Sequence, residues 1–65
     1  MYKQTRDLEG EILHLLVGKR FYIKQIADEL KISRVTADKY LSRLEAKRLV
    51  ECEFVGIAKL YWVSE

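Results

Sequence analysis

The sequence predicts an α+β fold in which three helices precede a two-stranded β-hairpin. The main observation is a pair of apolar stripes with helical spacing on either side of a short break. The first stripe is Ile26, Ala27 and Leu30, and the second is Ala37, Leu41 and Leu44. In addition, residues 50–55 alternate apolar and acidic side chains as a half-buried strand does, and a second β-prone segment follows Gly56.

The first helix is predicted over residues 6–17. Thr5 can cap its start, three acidic residues lie near its positive end, and Gly18 follows its last turn. Residues 21–23, Phe-Tyr-Ile, are β-prone and long enough for a single bridge to a later sheet. A second helix is expected over residues 24–30 and a third over residues 34–47.

The second and third helices follow each other as in a helix-turn-helix. A three-residue break separates them, and within it Ser33 has a side chain that can cap a new helix. Ala27 is small, as is required where two helices cross closely. The second helix of such a motif is shaped to enter the major groove of DNA.

The terminal hairpin is predicted from strands at residues 50–55 and 59–63. An even-length loop around Gly56 pairs Cys52 with Tyr61 and Phe54 with Lys59. One face of this hairpin is expected to turn toward the core, and it carries Val50, Cys52, Phe54, Tyr61 and Val63.

Five short segments carry a family resemblance. They are Ile12-Leu13, Ile26-Ala27-Asp28-Glu29-Leu30, Ser33-Arg34-Val35-Thr36, Leu41-Ser42-Arg43-Leu44-Glu45 and Val55-Gly56-Ile57-Ala58-Lys59-Leu60-Tyr61. Through them nearly the whole chain resembles the winged helix-turn-helix transcriptional regulators of small archaeal, bacterial or archaeal-virus type. The resemblance implies a winged-helix fold and DNA binding. Lys31 and Arg48 stand where this family commonly has glycine, and both can adopt the required backbone at modest cost.

Positive charge is concentrated on the helix-turn-helix. The chain carries a net charge of only +2, but nine basic and four acidic residues lie between positions 19 and 48, a local balance of +5. Residues 1–18 and 49–65 are each net acidic. A polyanionic partner requires such an asymmetry more than a high total charge. The alternative is a basic helix face that is only solvated.

The third helix presents the candidate DNA-binding residues. Residues near the start of a recognition helix reach base edges, and residues at its margins meet phosphates. Arg34 and Lys39 can donate to guanine, Val35 can contact a thymine methyl, and Asp38 can accept from cytosine. Lys59, near the hairpin tip, is either a DNA contact or a solvated lysine. The predicted interface is Lys24, Ser33, Arg34, Val35, Thr36, Asp38, Lys39, Ser42, Arg43 and Lys59.

Two apolar surfaces suggest a homodimer. The predicted register turns Leu60 and Trp62 away from the core, and Leu13 and Val17 form a second apolar arc on the first helix. Small domains often complete their burial by association, so these four residues are the predicted interface. The alternative is that the first helix packs between the other helices and the hairpin, which would enclose both surfaces within one chain.

Composition limits the remaining possibilities. A chain of 65 residues is expected to form one domain, residues 1–65. No apolar run is long enough to span a membrane, and no signal-peptide pattern begins the chain. Cys52 is the only cysteine, which predicts a reducing cytoplasm. His14 and Cys52 have no metal-ligand spacing around them, so no metal, cofactor or small-molecule ligand is expected.

These patterns predict a sequence-specific double-stranded DNA-binding protein, a small transcriptional regulator whose third helix reads the major groove. The sequence contains no phosphate-binding loop or nucleophile motif, and no enzyme activity is expected. The rival interpretation is a winged-helix protein–protein interaction module that does not bind DNA, because fold alone does not define function.

Overall fold

A computed structural model describes residues 6–64 of the chain. Its elements, in chain order, are α1 (Leu8–Leu16), β1 (Phe21–Tyr22), α2 (Ile23–Leu30), α3 (Arg34–Ala46), β2 (Val50–Val55) and β3 (Ala58–Val63). The three predicted helices and the hairpin are therefore present. No helix in the described part of the chain is both long and apolar enough to cross a membrane.

The sheet has three strands, where the sequence predicted a two-stranded hairpin. Its order is β1-β3-β2, and both strand pairs are antiparallel. β1 contributes only two residues, with Phe21 opposite Tyr61 and Tyr22 opposite Leu60. The sequence indicates that this segment is β-prone, but the strand beside which it lies depends on how α1 and α2 pack.

Helix α1 is shorter than predicted at both ends. The Asp7 carboxylate caps it by accepting a hydrogen bond from the Gly10 backbone N–H at 3.1 Å, so the helix begins at Leu8. Thr5, the predicted cap, lies outside the described residues. The helix ends at Leu16, and Gly18 then adopts a positive φ of 69° that glycine tolerates without strain.

The helix-turn-helix forms as its capping residues predict. Ser33 Oγ accepts a hydrogen bond from the Thr36 backbone N–H at 3.0 Å, which confirms Ser33 as the cap of α3. Lys31 and Arg48 have φ values of 58° and 63°. These lysine and arginine residues therefore adopt the left-handed backbone that was expected where related chains carry glycine.

Helix α2 starts one residue earlier than predicted, at Ile23, and α3 ends one residue earlier, at Ala46. At the start of α2 the Gln25 side chain accepts a hydrogen bond from the Tyr22 backbone N–H at 2.9 Å. This bond satisfies a backbone donor that the first turn of a helix leaves without a partner, and so extends the helix to Ile23.

One cluster of fully buried side chains joins all three helices to the hairpin. Its members are Ile12, Leu16, Ile26, Leu41, Leu44, Val50 and Tyr61. Ala27 is 2% exposed and Ala37 is fully buried, as expected for small residues where helices pack closely. The buried stripe of α3 is therefore the predicted one, and the opposite face of α3 is left in solvent.

The hairpin has the predicted register, with Cys52 opposite Tyr61 and Phe54 opposite Lys59. The prediction that Phe54 faces the core is wrong, because its side chain is 68% exposed. Val50 and Tyr61 on the same face are buried. By residue 54 the hairpin has passed the core cluster, so the alternation of the strand continues but no core side chain covers Phe54.

The outer apolar side chains are partly covered within the chain itself. Leu60 and Trp62 are half-buried, and the Arg20 guanidinium lies 4.4 Å from the centre of the Trp62 ring. Leu13 is half-buried and packs against the core cluster. Of the four residues predicted for a dimer interface, only Val17 is largely exposed, at 64%.

Replacing Leu41 by alanine is expected to lower the free energy of unfolding by roughly 2–5 kcal/mol, because the cavity would lie at the centre of the core. A chain of this length is stabilised by only about 3–10 kcal/mol, at 0.05–0.15 kcal/mol per residue. Urea unfolding followed by circular dichroism measures the change. Val35→Ala, on the exposed face of the same helix, is the control and should change stability by less than about 0.5 kcal/mol. Equal stability of the two variants would contradict this placement of α3.

Candidate nucleic-acid interface

The exposed face of α3 carries most of the predicted interface residues. Because one stripe of α3 is buried, the helical period turns Arg34, Val35, Asp38, Lys39, Ser42 and Arg43 into solvent. Val35 is 81% exposed on this face. This face has both hydrogen-bonding groups and an apolar contact near the helix start, as base readout requires.

A cleft of about 880 Å³ lies between the first turn of α3, the first turn of α2 and the end of the hairpin. Five residues predicted from sequence line it together: Lys24, Arg34, Val35, Asp38 and Lys59. The structure therefore places the start of the recognition helix and the hairpin on opposite walls of one cleft. The remaining lining residues are Tyr22, Ile23, Gln25, Phe54, Ile57 and Ala58.

Lys39 and Arg43 lie outside this cleft, on the exposed margin of α3. The Lys39 ammonium is 5.8 Å from the centre of the Tyr40 ring, and the Arg43 guanidinium is 5.1 Å from it. Tyr40 is half-buried and packs against the core, so its ring is a fixed partner for both cations. Their place at the margin of the helix is where phosphate contacts are expected in a recognition helix. Ser42 is exposed on the same helix, outside the cleft lining.

Ser33 and Thr36 use their polar groups within the protein. Ser33 Oγ donates a hydrogen bond to Thr36 Oγ1 at 2.9 Å and accepts one from the Thr36 backbone N–H. Both hydroxyls therefore maintain the start of α3. The structure supports a positioning role for these two residues, and it does not place either of them in the cleft lining.

Ion pairing separates the basic residues into two groups. Lys24 pairs with Asp28 at 3.6 Å, and Lys47 pairs with Glu9 at 2.8 Å. Arg34, Lys39 and Arg43 form no ion pair with any residue between positions 6 and 64. These three cations can bind an external anion without first breaking a bridge. The Lys24–Asp28 pair is highly exposed and therefore weak.

Lys59 folds back along the hairpin. Its ammonium lies 5.6 Å from the centre of the Phe54 ring and 5.4 Å from that of Tyr61. Tyr61 is fully buried, and burial raises the pKa of its phenol, so the ring stays neutral beside the lysine. Within the described chain the Tyr61 hydroxyl has no hydrogen-bond partner. Lys59 thus faces the cleft from the hairpin wall and does not extend past the tip.

Sequence reasoning did not identify the apolar lining of the cleft. The alternation of the strand predicts Phe54 on the core face, and Ile57 lies in the loop between the two predicted strands. The sequence does contain one indication of this apolar lining: the hairpin turn between Phe54 and Lys59 has no polar side chain. Turns that are only solvated normally carry polar residues.

Residues 10–52, which extend from α1 into β2, match the model of a helix-turn-helix family described as bacterial regulatory proteins of the arsR family. This match covers about two-thirds of the chain. The chain belongs to the arsR family. Its helix-turn-helix is thus that of a family of regulatory proteins, as the sequence resemblance implied. No curated protein matches the chain.

Solved structures of regulators share the fold of this arsR-family chain. A possible transcriptional regulatory protein from Mycobacterium bovis superposes with a TM-score of 0.88 at 24% identity, covering 94% of this chain and 66% of the other. HlyU from Vibrio cholerae gives a TM-score of 0.88 at 18% identity with the same coverages, 94% and 66%.

A third structure, of a homodimeric winged helix-turn-helix DNA-binding domain from Mycobacterium bovis, is described as a possible ArsR-family regulator. It gives a TM-score of 0.84 at 26% identity, covering 89% of this chain and 54% of the other. The arsR-family chain therefore spans about half to two-thirds of the length of these relatives.

The described residues offer little chemistry other than nucleic-acid binding. Within residues 6–64, no group of three or more His, Cys, Asp or Glu side chains lies close enough to hold a metal ion. The Cys52 thiol is half-buried and donates to Glu45 Oε2 at 3.4 Å. Burial is the larger cause of a raised pKa at Cys52, and the hydrogen bond to Glu45 is the next; both oppose formation of the thiolate. The family and the fold are those of transcriptional regulators.

Replacing Ser33 by alanine is expected to lower the free energy of unfolding by about 1 kcal/mol, because the first turn of α3 would lose its cap. Urea unfolding measures the change. Ser42→Ala, in the exposed middle of the same helix, is the control and should leave stability unchanged or slightly raised, since alanine has the higher helix propensity. If Ser33→Ala is as stable as the wild type, its side chain is not acting as the cap.

Proposed function

We propose that this chain is a small transcriptional regulator that binds double-stranded DNA sequence-specifically, with α3 in the major groove. The observation that supports this best is the exposed face of α3. It presents Arg34, Lys39 and Arg43, which have no ion-pair partner among residues 6–64, on the part of the sequence that is strongly basic. Family membership gives the same class of function.

The residues divide by position into those that read bases and those that contact phosphates. Arg34, Val35 and Asp38 lie at the start of α3 and face the cleft, where guanine, a thymine methyl and cytosine are their respective complements. Lys39 and Arg43 lie along the margin and neutralise phosphates. Lys24 and Lys59 can reach a phosphate from the α2 and hairpin walls of the cleft.

A homodimer is the second part of the proposal. One of the similar structures is described as homodimeric, and Val17, directly after the end of α1, is 64% exposed. A two-fold dimer would place two recognition helices about one DNA turn, roughly 34 Å, apart, and would favour an inverted-repeat site. A DNA-binding protein acts in the compartment that holds the DNA. The single cysteine of the sequence predicts that this compartment is the cytoplasm.

The rival function is a winged-helix protein-interaction module that does not bind DNA. The exposed apolar residues at the hairpin tip are the observation that favours it. The two functions differ in their dependence on salt, because phosphate contacts release counterions and apolar protein contacts do not.

Alanine substitution on α3 tests DNA binding. Lys39→Ala and Arg43→Ala should each weaken binding to duplex DNA and reduce the slope of log K against log salt by about 0.9, because each removes one phosphate contact. Fluorescence anisotropy with labelled duplex between 50 and 200 mM salt measures both quantities. Lys47→Ala is the matched control, since this lysine is on the same chain segment but is paired with Glu9.

The control should bind with the slope of the wild type. If all three variants bind like the wild type, α3 is not the DNA-binding surface. If the wild type itself shows no salt-dependent binding to random-sequence duplex, the regulator proposal is wrong and the interaction module becomes the better interpretation.

Sedimentation tests the dimer. The wild type is expected to sediment at about twice the 7.7 kDa chain mass at micromolar concentration, and Val17→Glu should shift it toward the monomer by placing a charge in the interface. Leu49→Glu, at a side chain that is 42% exposed and lies outside the predicted interface, is the control. A wild type that stays monomeric both free and on DNA would contradict the dimer and leave DNA binding unaffected.

A further inference from the structure

The tip of the hairpin is apolar. Residues 54–58 are Phe-Val-Gly-Ile-Ala and include no polar side chain. Ile57 is 101% exposed, as open as in an extended peptide, and Phe54 and Val55 are 68% and 44% exposed. Soluble proteins seldom leave neighbouring large apolar side chains in water unless the surface binds something.

The tip also projects beyond the rest of the sheet. β1 lies beside β3 only at Leu60 and Tyr61. The last two cross-strand pairs of the hairpin, Phe54–Lys59 and Val55–Ala58, therefore have no third strand beside them. Gly56, with a φ of 66°, closes the turn there. Ile57 thus stands at the end of a narrow two-stranded projection.

The projection shares a cleft with the recognition helix. Phe54 and Ile57 line the wall opposite Arg34 and Val35. A ligand held at the start of α3 therefore also meets the hairpin tip. The cations in the cleft, Lys24, Arg34 and Lys59, suit a polyanion, and the tip itself carries no charge. One DNA backbone strand in the cleft would have the major groove on its α3 side and the minor groove on its hairpin side.

We infer that Ile57 is an apolar wedge for the DNA minor groove; this inference rests on the proposed DNA binding. An isoleucine inserted at a base step unstacks it partly and kinks the duplex by roughly 20–90°. Pyrimidine–purine steps such as TA deform most readily, so the wedge adds a sequence preference at a position that α3 does not touch. Phe54, on the same wall of the cleft, adds apolar surface against the sugars.

The test uses the full chain and the duplex that the wild type retains best from a random-sequence pool. Ile57→Ser should weaken binding roughly tenfold, about 1.4 kcal/mol, without changing the salt slope, because no phosphate contact is lost. Ile57→Lys should steepen the slope by about 0.9. Fluorescence energy transfer between dyes on the two duplex ends should report a bend of at least about 20° with the wild type and its loss with Ile57→Ser.

Val55→Ser is the matched control. Val55 is at the same end of the hairpin and partly exposed, but it does not line the cleft. This variant should bind and bend DNA like the wild type, and circular dichroism should show all variants folded.

Other outcomes overturn the inference in distinguishable ways. If Lys39→Ala weakens DNA binding while Ile57→Ser neither weakens it nor reduces the bend, the wedge is wrong and DNA binding stands. If Ile57→Ser changes the sedimenting mass and leaves bending unchanged, the tip is a contact between copies of the chain. If the wild type retains no duplex, both the wedge and the proposed function are wrong.

Discussion

The burial of one stripe of α3 is the constraint on which the rest of the structure depends. Ala37, Leu41 and Leu44 are fully buried, and they pack against residues from α1, α2 and the sheet. A chain this small has room for one core, so α3 cannot rotate without exposing that stripe. The orientation of its outer face follows directly, and the candidate interface is therefore held in place by the same contacts that stabilise the fold.

The turn before α3 also fixes the orientation of α2 relative to α3. Lys31 adopts the left-handed backbone and lets the Ile32 N–H bond to the Ala27 carbonyl at 3.0 Å, which ends α2 cleanly. The Arg6 guanidinium donates to the Leu30 carbonyl at 2.6 Å, satisfying another carbonyl at that helix end. Ser33, two residues after Lys31, then caps α3. The angle between the two helices is thus set by local hydrogen bonds as well as by core packing.

The candidate interface combines a charged and an apolar surface, and binding by the two depends differently on salt concentration. In the proposed binding mode, Lys39 and Arg43 contact phosphates, so their contribution to affinity falls as salt rises, whereas the apolar contact of the hairpin tip does not depend on salt in this way. Arg34 and Ile57 line one cleft, so in this binding mode both would contact the same stretch of DNA. Under the proposal, a wing with a single basic residue would contribute to recognition through DNA shape and deformability rather than through charge.

The sequence by itself determined the helices, the cap at Ser33, the hairpin register and the exposed basic face of α3, because each follows from side-chain period or from a residue's own backbone preference. It also indicated the family through short local motifs. Phe54 could not be placed in this way, since alternation shows which face a side chain is on but not whether another element covers that face.

Only the tertiary structure decided that β1 pairs with β3, that Arg20 covers Trp62, and that the hairpin tip extends past the core cluster. The first two outcomes depend on contacts between segments about 40 residues apart, and for these the sequence indicated only that residues 21–23 could bridge to a later sheet. The cleft itself is such an outcome: its walls come from α2, α3 and the hairpin, and its shape exists only once the shared core has brought them together.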